Sequence, residues 1–234
     1  MKKLTKRIKT VQALVDATKT HSLKDAISAL KKTPKLKFDE TVEIAVKLNV
    51  DPKDSQSASI RGTLTLPHGT GRKVKVAVFC KGEEERKAKD AGADFVGAED
   101  LIAKVQGGWA GFDVAIATPD MMKDMAKLGK ILGPRGLMPN PKSGTVTMDT
   151  AKTIKEVKAG KIEFKMDKQA GIHAPLGKLS FTEDALYKNA LSLIDAIMSS
   201  GAQGSAVKGQ HVKTLYISTT MGPGIKLDLA EFRK

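Results

Sequence analysis

The segment VKVAVFCKGEEERKAKDAGADFV, residues 74–96, decides the fold of the chain. It begins with a short strand that is apolar on both faces, continues with a charged helical stretch over 83–91, and ends in a second strand at 94–96. Helix 99–105, strand 114–117 and helix 121–128 continue the alternation. Strands that are apolar on both faces belong to parallel sheets covered by helices on each side. The pattern therefore predicts a small three-layer, Rossmann-like α/β domain.

The strands outside this segment alternate between apolar and polar residues. The first of them has one apolar face, formed by Val42, Ile44, Val46 and Leu48, while Glu43 and Lys47 point the other way. Residues 60–66, 162–166 and 215–217 repeat the pattern, which is typical of strands with one solvated face. Helices near 22–30 and 182–199 supply a cover, and Ser22 with Asp25 forms a capping box at the first. Both chain ends together predict a two-layer α+β domain.

Two breaks in the pattern divide the chain. The first is the loop at 67–71 and the second is Ala159-Gly160, which closes a helical pattern. We therefore predict an α/β protein of two domains: a discontinuous domain of residues 1–67 and 160–234, and an inserted domain of residues 68–159. The two crossings lie side by side in such a layout and form a natural hinge.

Composition restricts the function. The 234 residues include 40 Lys and Arg against 26 Asp and Glu, a formal net charge of +14, which favours a polyanionic partner. Cys80 is the only cysteine, so neither an internal disulfide nor a cysteine-based zinc site is expected, and a reducing cytoplasm fits. No stretch reaches the roughly 20 apolar residues that cross a bilayer, so no membrane partner is expected.

The sequence lacks the signatures of an enzyme. The loop Lys81-Gly82-Glu83-Glu84, after the first inserted strand, has no phosphate-binding glycine pattern, and its carboxylates would repel phosphate. The four histidines show no metal-ligand spacing. We expect no catalytic residues, no metal and no cofactor. Two rival functions stay open: an α/β enzyme with a nucleotide site in the insert, and a DNA-binding regulator, although no recognition helix is visible.

Three motifs carry candidate RNA contacts. Lys37, Phe38 and Thr41 offer a cation, a ring and a hydroxyl for phosphate, sugar or base, although a lone phenylalanine is more often core. Near the carboxyl end, Thr220, Met221 and Gly222 suit a shallow RNA minor groove, and the same residues also fit a tight turn between strands.

The third motif is the inserted loop 133–145, which holds three prolines and three glycines. Loop structure alone could require them, and a binding role is at least as well supported. In the binding interpretation, Arg135 and Lys142 contact phosphate.

These motifs together resemble the bacterial type of the large-subunit ribosomal protein 1 family. The resemblance covers nearly the whole chain, and its most specific part is Gly-Pro-Arg-Gly-Leu-Met-Pro-Asn-Pro-Lys at 133–142. The other stretches that carry it are 37–43, 92–94, 117–120, 158–164, 172–175 and 220–223. The residues after Pro223, including acidic Asp228 and Glu231, depart from the pattern, and no RNA contact is assigned to them.

The resemblance implies a non-enzymatic component of the large ribosomal subunit in the cytoplasm. The discontinuous domain would bind large-subunit rRNA at the mobile stalk, and the insert would face exit-site tRNA and assist release of deacylated tRNA. It also implies repression of the protein's own operon through its mRNA, and a monomer off the ribosome. Carried over by position, the implied rRNA contacts are Lys37, Phe38, Thr41, Asp167, Lys168, Thr214, Thr220, Met221 and Gly222.

Overall fold

The computed structural model describes residues 6–16, 19–34, 36–50, 60–202 and 212–232. The chain forms two compact units, Met1–Gly71 with Ile162–Lys234, and Arg72–Lys161. The predicted mixed α/β class is confirmed. The expected boundaries, 1–67 with 160–234 around 68–159, differ from these units by a few residues at each crossing.

The described residues form eight α-helices and nine β-strands. In chain order they are α1 (Lys6–Leu14), α2 (Leu23–Lys31), β1 (Thr41–Leu48), β2 (Arg61–Thr65), β3 (Val76–Phe79), α3 (Glu83–Asp90), β4 (Phe95–Gly97), α4 (Glu99–Gln106), β5 (Val114–Ala117), α5 (Met122–Met125), α6 (Gly129–Leu132), α7 (Thr150–Ala159), β6 (Lys161–Lys165), β7 (Gly171–Lys178), α8 (Glu183–Ala202), β8 (Val212–Thr219) and β9 (Ile225–Lys226). Short 3₁₀ turns lie at Pro119–Met121, Ala126–Leu128, Pro141–Ser143 and Leu229–Phe232. Among the described helices, none combines the length and apolarity of a membrane span.

The first unit is built on a four-stranded antiparallel sheet in the order β7-β1-β8-β9. The apolar side of β1 pairs with apolar positions of its neighbours, so that Ile44 lies opposite both Ala174 and Ile217. Helices α2 and α8 pack on this side and close the core with Leu23, Ile27, Leu30, Leu186, Leu193 and Ile197. The predicted capping box starts α2, where Ser22 Oγ accepts from the Asp25 N–H at 3.2 Å.

A two-stranded sheet of β2 and β6 extends the same core. The Phe164 ring lies over Gly62 so closely that a Cβ at this position would meet the ring. Position 62 therefore requires glycine because the packing leaves no room for a side chain, and not because of its backbone conformation. Residues 68–69 also belong to this unit, because buried Asn189 of α8 accepts from the His68 N–H at 3.0 Å and donates to Gly69 O at 3.0 Å. This anchoring places the loop with the first unit.

The second unit has three layers, as predicted. Its parallel sheet has the order β4-β3-β5, and β3 is buried on both faces. Ala77 and Phe79 face a cluster formed by α4 and the segment 121–132, while Val76 and Val78 face α3 and α7. In place of the single helix predicted over 121–128, the structure has one α-helical turn, α5, between two 3₁₀ turns, and Met121, Met125 and Leu128 still share the core.

Candidate nucleic-acid interface

The amino end of β1 and the carboxyl end of β8 meet in a hydrogen-bonded corner. The Thr41 N–H donates to Thr220 Oγ1 at 3.0 Å, and the Thr220 N–H donates to Thr41 O at 3.0 Å. Lys178 of β7, opposite Thr41 in the register, donates from Nζ to Thr41 Oγ1 at 2.9 Å. The Thr220 hydroxyl also donates to Thr41 O at 3.4 Å, whereas the Thr41 hydroxyl, which accepts from Lys178, can donate its proton to a ligand acceptor. We call Thr41 with residues 219–222 the threonine corner.

Two exposed apolar side chains, one in the threonine corner and one on the loop before β1, lie at this end of the sheet. Phe38 is 53% exposed and Met221 is 61% exposed, so neither belongs to the core. Lys37 beside the phenylalanine is also exposed. The loop that carries Lys37 and Phe38 is held by Asp39, whose carboxylate accepts from the Ser180 N–H at 3.2 Å and from Ser180 Oγ at 2.7 Å. A ring and a cation thus stand exposed on an ordered loop, and a thioether stands exposed on the turn after β8, a set that suits contacts to sugar, base and phosphate.

A buried carboxylate lies under the corner. Glu40 is 1% exposed, and its Oε1 accepts from the Met221 N–H at 2.9 Å and from Thr219 Oγ1 at 3.3 Å. Gly222 closes the turn by donating to Thr219 O at 3.0 Å. A Cβ at Gly222 would overlap Thr219 Oγ1, so the turn admits only glycine without a shift. The buried Glu40 carboxylate and the hydrogen bond of Gly222 therefore fix the backbone of the corner.

Asp167 and Lys168 lie in the turn between β6 and β7. Asp167 Oδ1 accepts from the Gly171 N–H at 2.6 Å and the Gln169 N–H at 2.7 Å, and these bonds lower the pKa of Asp167 below its ordinary value. Ala170 takes a left-handed conformation with φ 60°, which side chains rarely adopt. One carboxylate oxygen of Asp167 thus shapes the turn, and Lys168 is exposed beside it.

The predicted contacts fall into two groups on one sheet. Thr214 lies opposite Lys47 at the far end of β1, and Lys47 also pairs with Gly171 next to the Asp167 turn. Thr41 and Lys47 are six positions apart on an extended strand, which separates the two ends by about 20 Å. The structure therefore brings six predicted residues to the corner end, namely Lys37, Phe38, Thr41, Thr220, Met221 and Gly222. It places three at the other end, namely Asp167, Lys168 and Thr214.

The face between these ends is the solvated side of the sheet. Glu43 lies opposite Ser218, and Ala45 lies opposite Tyr216, whose ring is 37% exposed. His173 on β7 is exposed on the same side, since it too pairs with Ala45. The face offers hydroxyls, an aromatic ring and charges of both signs between the two groups.

Sequence reasoning missed Lys178 and Tyr216 as candidate contacts. Tyr216 carried a usable signal, because it alternates with buried Leu215 and Ile217 and must face solvent. Lys178 carried none, since its place beside Thr41 depends on β7 pairing with β1. Arg7 was missed for the same reason: it donates from Nη1 to Met221 O at 2.9 Å across most of the chain.

The inserted loop that contains Arg135 and Lys142 is ordered. Asn140 caps its 3₁₀ turn by accepting from the Lys142 N–H at 2.9 Å, and the Asn140 N–H donates to Thr145 Oγ1 at 2.8 Å. Residues 145–147 then bond alongside Ala117 of β5. Both cations are exposed on this rigid support. Within the described residues, no group of three or more His, Cys, Asp or Glu side chains is arranged to hold a metal ion.

Comparison with known proteins adds two findings. The profile of the Ribosomal protein L1p/L10e family matches residues 30–223. The chain is also 50% identical over 226 residues to the large ribosomal subunit protein uL1 of Protochlamydia amoebophila strain UWE25, with 97% of this chain and 94% of that protein covered.

Proposed function

Because the chain belongs to the Ribosomal protein L1p/L10e family, we propose that it is a component of the large ribosomal subunit that binds large-subunit rRNA. The binding surface is the solvated sheet face, with the threonine corner as its specific end. This role is one of binding, in which the protein makes and breaks no covalent bond.

The threonine corner carries the proposal. Thr41 and Thr220, which are hydrogen-bonded to each other, present hydroxyl groups beside an exposed ring and an exposed thioether, at a turn without a side chain at Gly222. RNA helices display 2′-hydroxyls and base edges in a wide, shallow minor groove. A surface of hydroxyl donors, bare backbone and flat apolar groups fits such a groove. Lys37 and Lys178 add phosphate attraction at the corner end of the sheet face, and Lys168 adds it at the other end.

Phosphate contacts should make the affinity for RNA depend on salt, whereas hydroxyl and apolar contacts should not. Each phosphate contact contributes about 0.7–0.9 to the log–log slope of affinity against salt. Hydroxyl and apolar contacts contribute little to that slope. Lys168→Ala should therefore lower the slope, whereas Met221→Ala should weaken binding at an unchanged slope.

Affinity for a large-subunit rRNA stalk fragment, measured by filter binding beside a scrambled RNA and duplex DNA, tests the proposal. Met221→Ala should weaken rRNA binding about tenfold and leave scrambled RNA unaffected, since the lost contact is worth about 1 kcal/mol or more. Met148→Ala is the matched control, because that methionine is 66% exposed in the insert. Equal affinity for all three nucleic acids would refute rRNA specificity, and a preference for duplex DNA would favour a regulator.

A finer part of the proposal is that the insert assists release of deacylated tRNA from the exit site. The support is the rigid loop with exposed Arg135 and Lys142, which suits the phosphates of a second RNA. Ribosomes that carry the double variant Arg135→Ala/Lys142→Ala should release labelled exit-site tRNA more slowly. Arg86→Ala, which removes another exposed cation of the insert, serves as control. Identical release rates for all three would refute this role.

We also propose that the chain represses its own operon by binding an mRNA site shaped like the rRNA site. One surface would then serve both RNAs, so they must compete. An excess of the rRNA fragment should displace the labelled mRNA leader completely. Simultaneous binding of both RNAs would rule the proposal out.

A further inference from the structure

A single ion pair links the N-terminal helix to the threonine corner. Arg7 of α1 donates from Nη1 to Met221 O at 2.9 Å, and its Nη2 lies 3.6 Å from Glu40 Oε1. The same Glu40 oxygen accepts from the Met221 N–H at 2.9 Å. The peptide groups on both sides of Met221 are therefore held, the N–H by a carboxylate and the carbonyl by a guanidinium.

The burial of this pair is unusual for an exposed binding corner. Glu40 is 1% exposed, and the Arg7 side chain is 23% exposed. A buried carboxylate is retained only where a positive charge and hydrogen-bond donors compensate its lost hydration. Here the donors are the Met221 N–H and Thr219 Oγ1, and the positive charge comes from Arg7.

From this arrangement we infer that Arg7 and Glu40 are positioning residues that fix the Met221 backbone and so set the specificity of the corner for folded RNA. The inference rests on the proposed rRNA binding. Neither side chain needs to touch the ligand. The Met221 side chain itself is flexible, so the fixed backbone determines the point from which it reaches the RNA.

The guanidinium geometry is specific to arginine. A planar fork can donate to a carbonyl with one nitrogen and face a carboxylate with the next, whereas a lysine ammonium presents one point of attachment. Residues 7, 40 and 221 are also far apart in the chain, so the corner takes its final form only when α1 is in place.

The test compares two affinities in each variant: for the rRNA stalk fragment and for a scrambled RNA of equal length. Arg7→Ala should lower the ratio of the two about tenfold, which corresponds to about 1.4 kcal/mol of lost specific contact. Lys9→Ala is the matched control, because it removes an exposed cation from the same helix. It should shift both affinities together and leave the ratio unchanged.

A second variant covers the case in which Arg7→Ala unfolds the domain. The double variant Arg7→Ala/Glu40→Gln leaves no unpaired buried charge, and its amide oxygen can still accept from the Met221 N–H. It should fold, exchange the Met221 amide hydrogen faster than wild type, and keep the lowered ratio. A wild-type ratio in this double variant overturns the inference while rRNA binding stands. If the wild-type chain itself binds both RNAs equally, the proposed function fails, and the inference fails with it.

Discussion

Replacing Gly222 by alanine tests whether the shape of the threonine corner determines RNA binding. The new Cβ would lie closer to Thr219 Oγ1 than the 3.0 Å that real Cβ atoms respect, and 3.3 Å from Thr219 Cβ. Thr219 cannot simply move away, since it is buried and its hydroxyl donates to Glu40. Gly222 has no positive φ, so the conflict is one of space and not of backbone conformation.

The expected loss of stability and of rRNA affinity in Gly222→Ala follows from this overlap. One extra methyl group in a packed site costs about 1–3 kcal/mol, through displaced neighbours and backbone shifts. We expect Gly222→Ala to lose about that much unfolding free energy in urea. Because the shift falls on the turn that presents Met221, rRNA affinity should fall at least about tenfold.

A compensating variant separates shape from simple damage. Thr219→Ala removes the oxygen that the new Cβ would overlap, and by itself loses a hydrogen bond worth about 1 kcal/mol. The double variant Thr219→Ala/Gly222→Ala should then bind rRNA better than Gly222→Ala alone, with a coupling free energy of about 1–2 kcal/mol. Gly224→Ala is the control, since its nearest neighbour, Tyr216 Cδ1, would lie 3.9 Å away. Full rRNA affinity in Gly222→Ala, or strictly additive losses in the double variant, would refute the reasoning.

Three further predictions concern stability and reactivity. Asn189→Ala should cost about 3 kcal/mol of unfolding free energy in urea, because it leaves the buried Leu176 carbonyl and the part-buried backbone groups at His68 and Gly69 without their partner; a loss below about 1 kcal/mol would contradict this. The lowered pKa of Asp167 means that its ionised form stabilises the fold above the ordinary value of 3.8, and that this contribution disappears as the pH falls through the lowered folded-state pKa. Asp167→Asn should therefore flatten the acid side of the stability profile in urea titrations, and an unchanged slope would count against it. Burial raises the pKa of the Cys80 thiol to about 11, so a thiol reagent at pH 8 should leave the folded protein unlabelled and label the protein in urea; rapid labelling without denaturant would show the assignment to be wrong.

The inserted domain was the more predictable half, because its signals are local. Strand β3 is apolar on both faces, and the structure buries each face under a separate helical layer. The family resemblance drawn from the motifs is confirmed by the profile match over 30–223. The segment 121–128 kept its apolar spacing but not its continuous helix, since spacing reports which side chains are buried and not which hydrogen-bond pattern holds them.

Strand β7 could not be predicted from the sequence pattern. Its sequence GIHAPLGK contains a proline and two glycines, residues that are depleted in strands. The structure puts it at the edge of the sheet, where Pro175 is tolerated. Without β7, neither Lys178 beside Thr41 nor the turn of Asp167 beside Lys47 could be placed. The contact residues themselves remain predictions, but the pairing that groups them is now defined.

The arrangement of the two groups explains why affinity and specificity should be separable in this protein. The cations Lys37 and Lys168 are exposed on a loop and a turn, and attraction from such charges acts at a distance and tolerates small displacements. The threonine corner depends instead on bonds among segments around residues 7, 40, 178 and 220, each positioned by a different element. Short-range hydroxyl and apolar contacts fail when such a frame shifts by a fraction of an ångström. Changes that loosen the frame should therefore leave a basic protein that still binds RNA but no longer distinguishes one RNA from another.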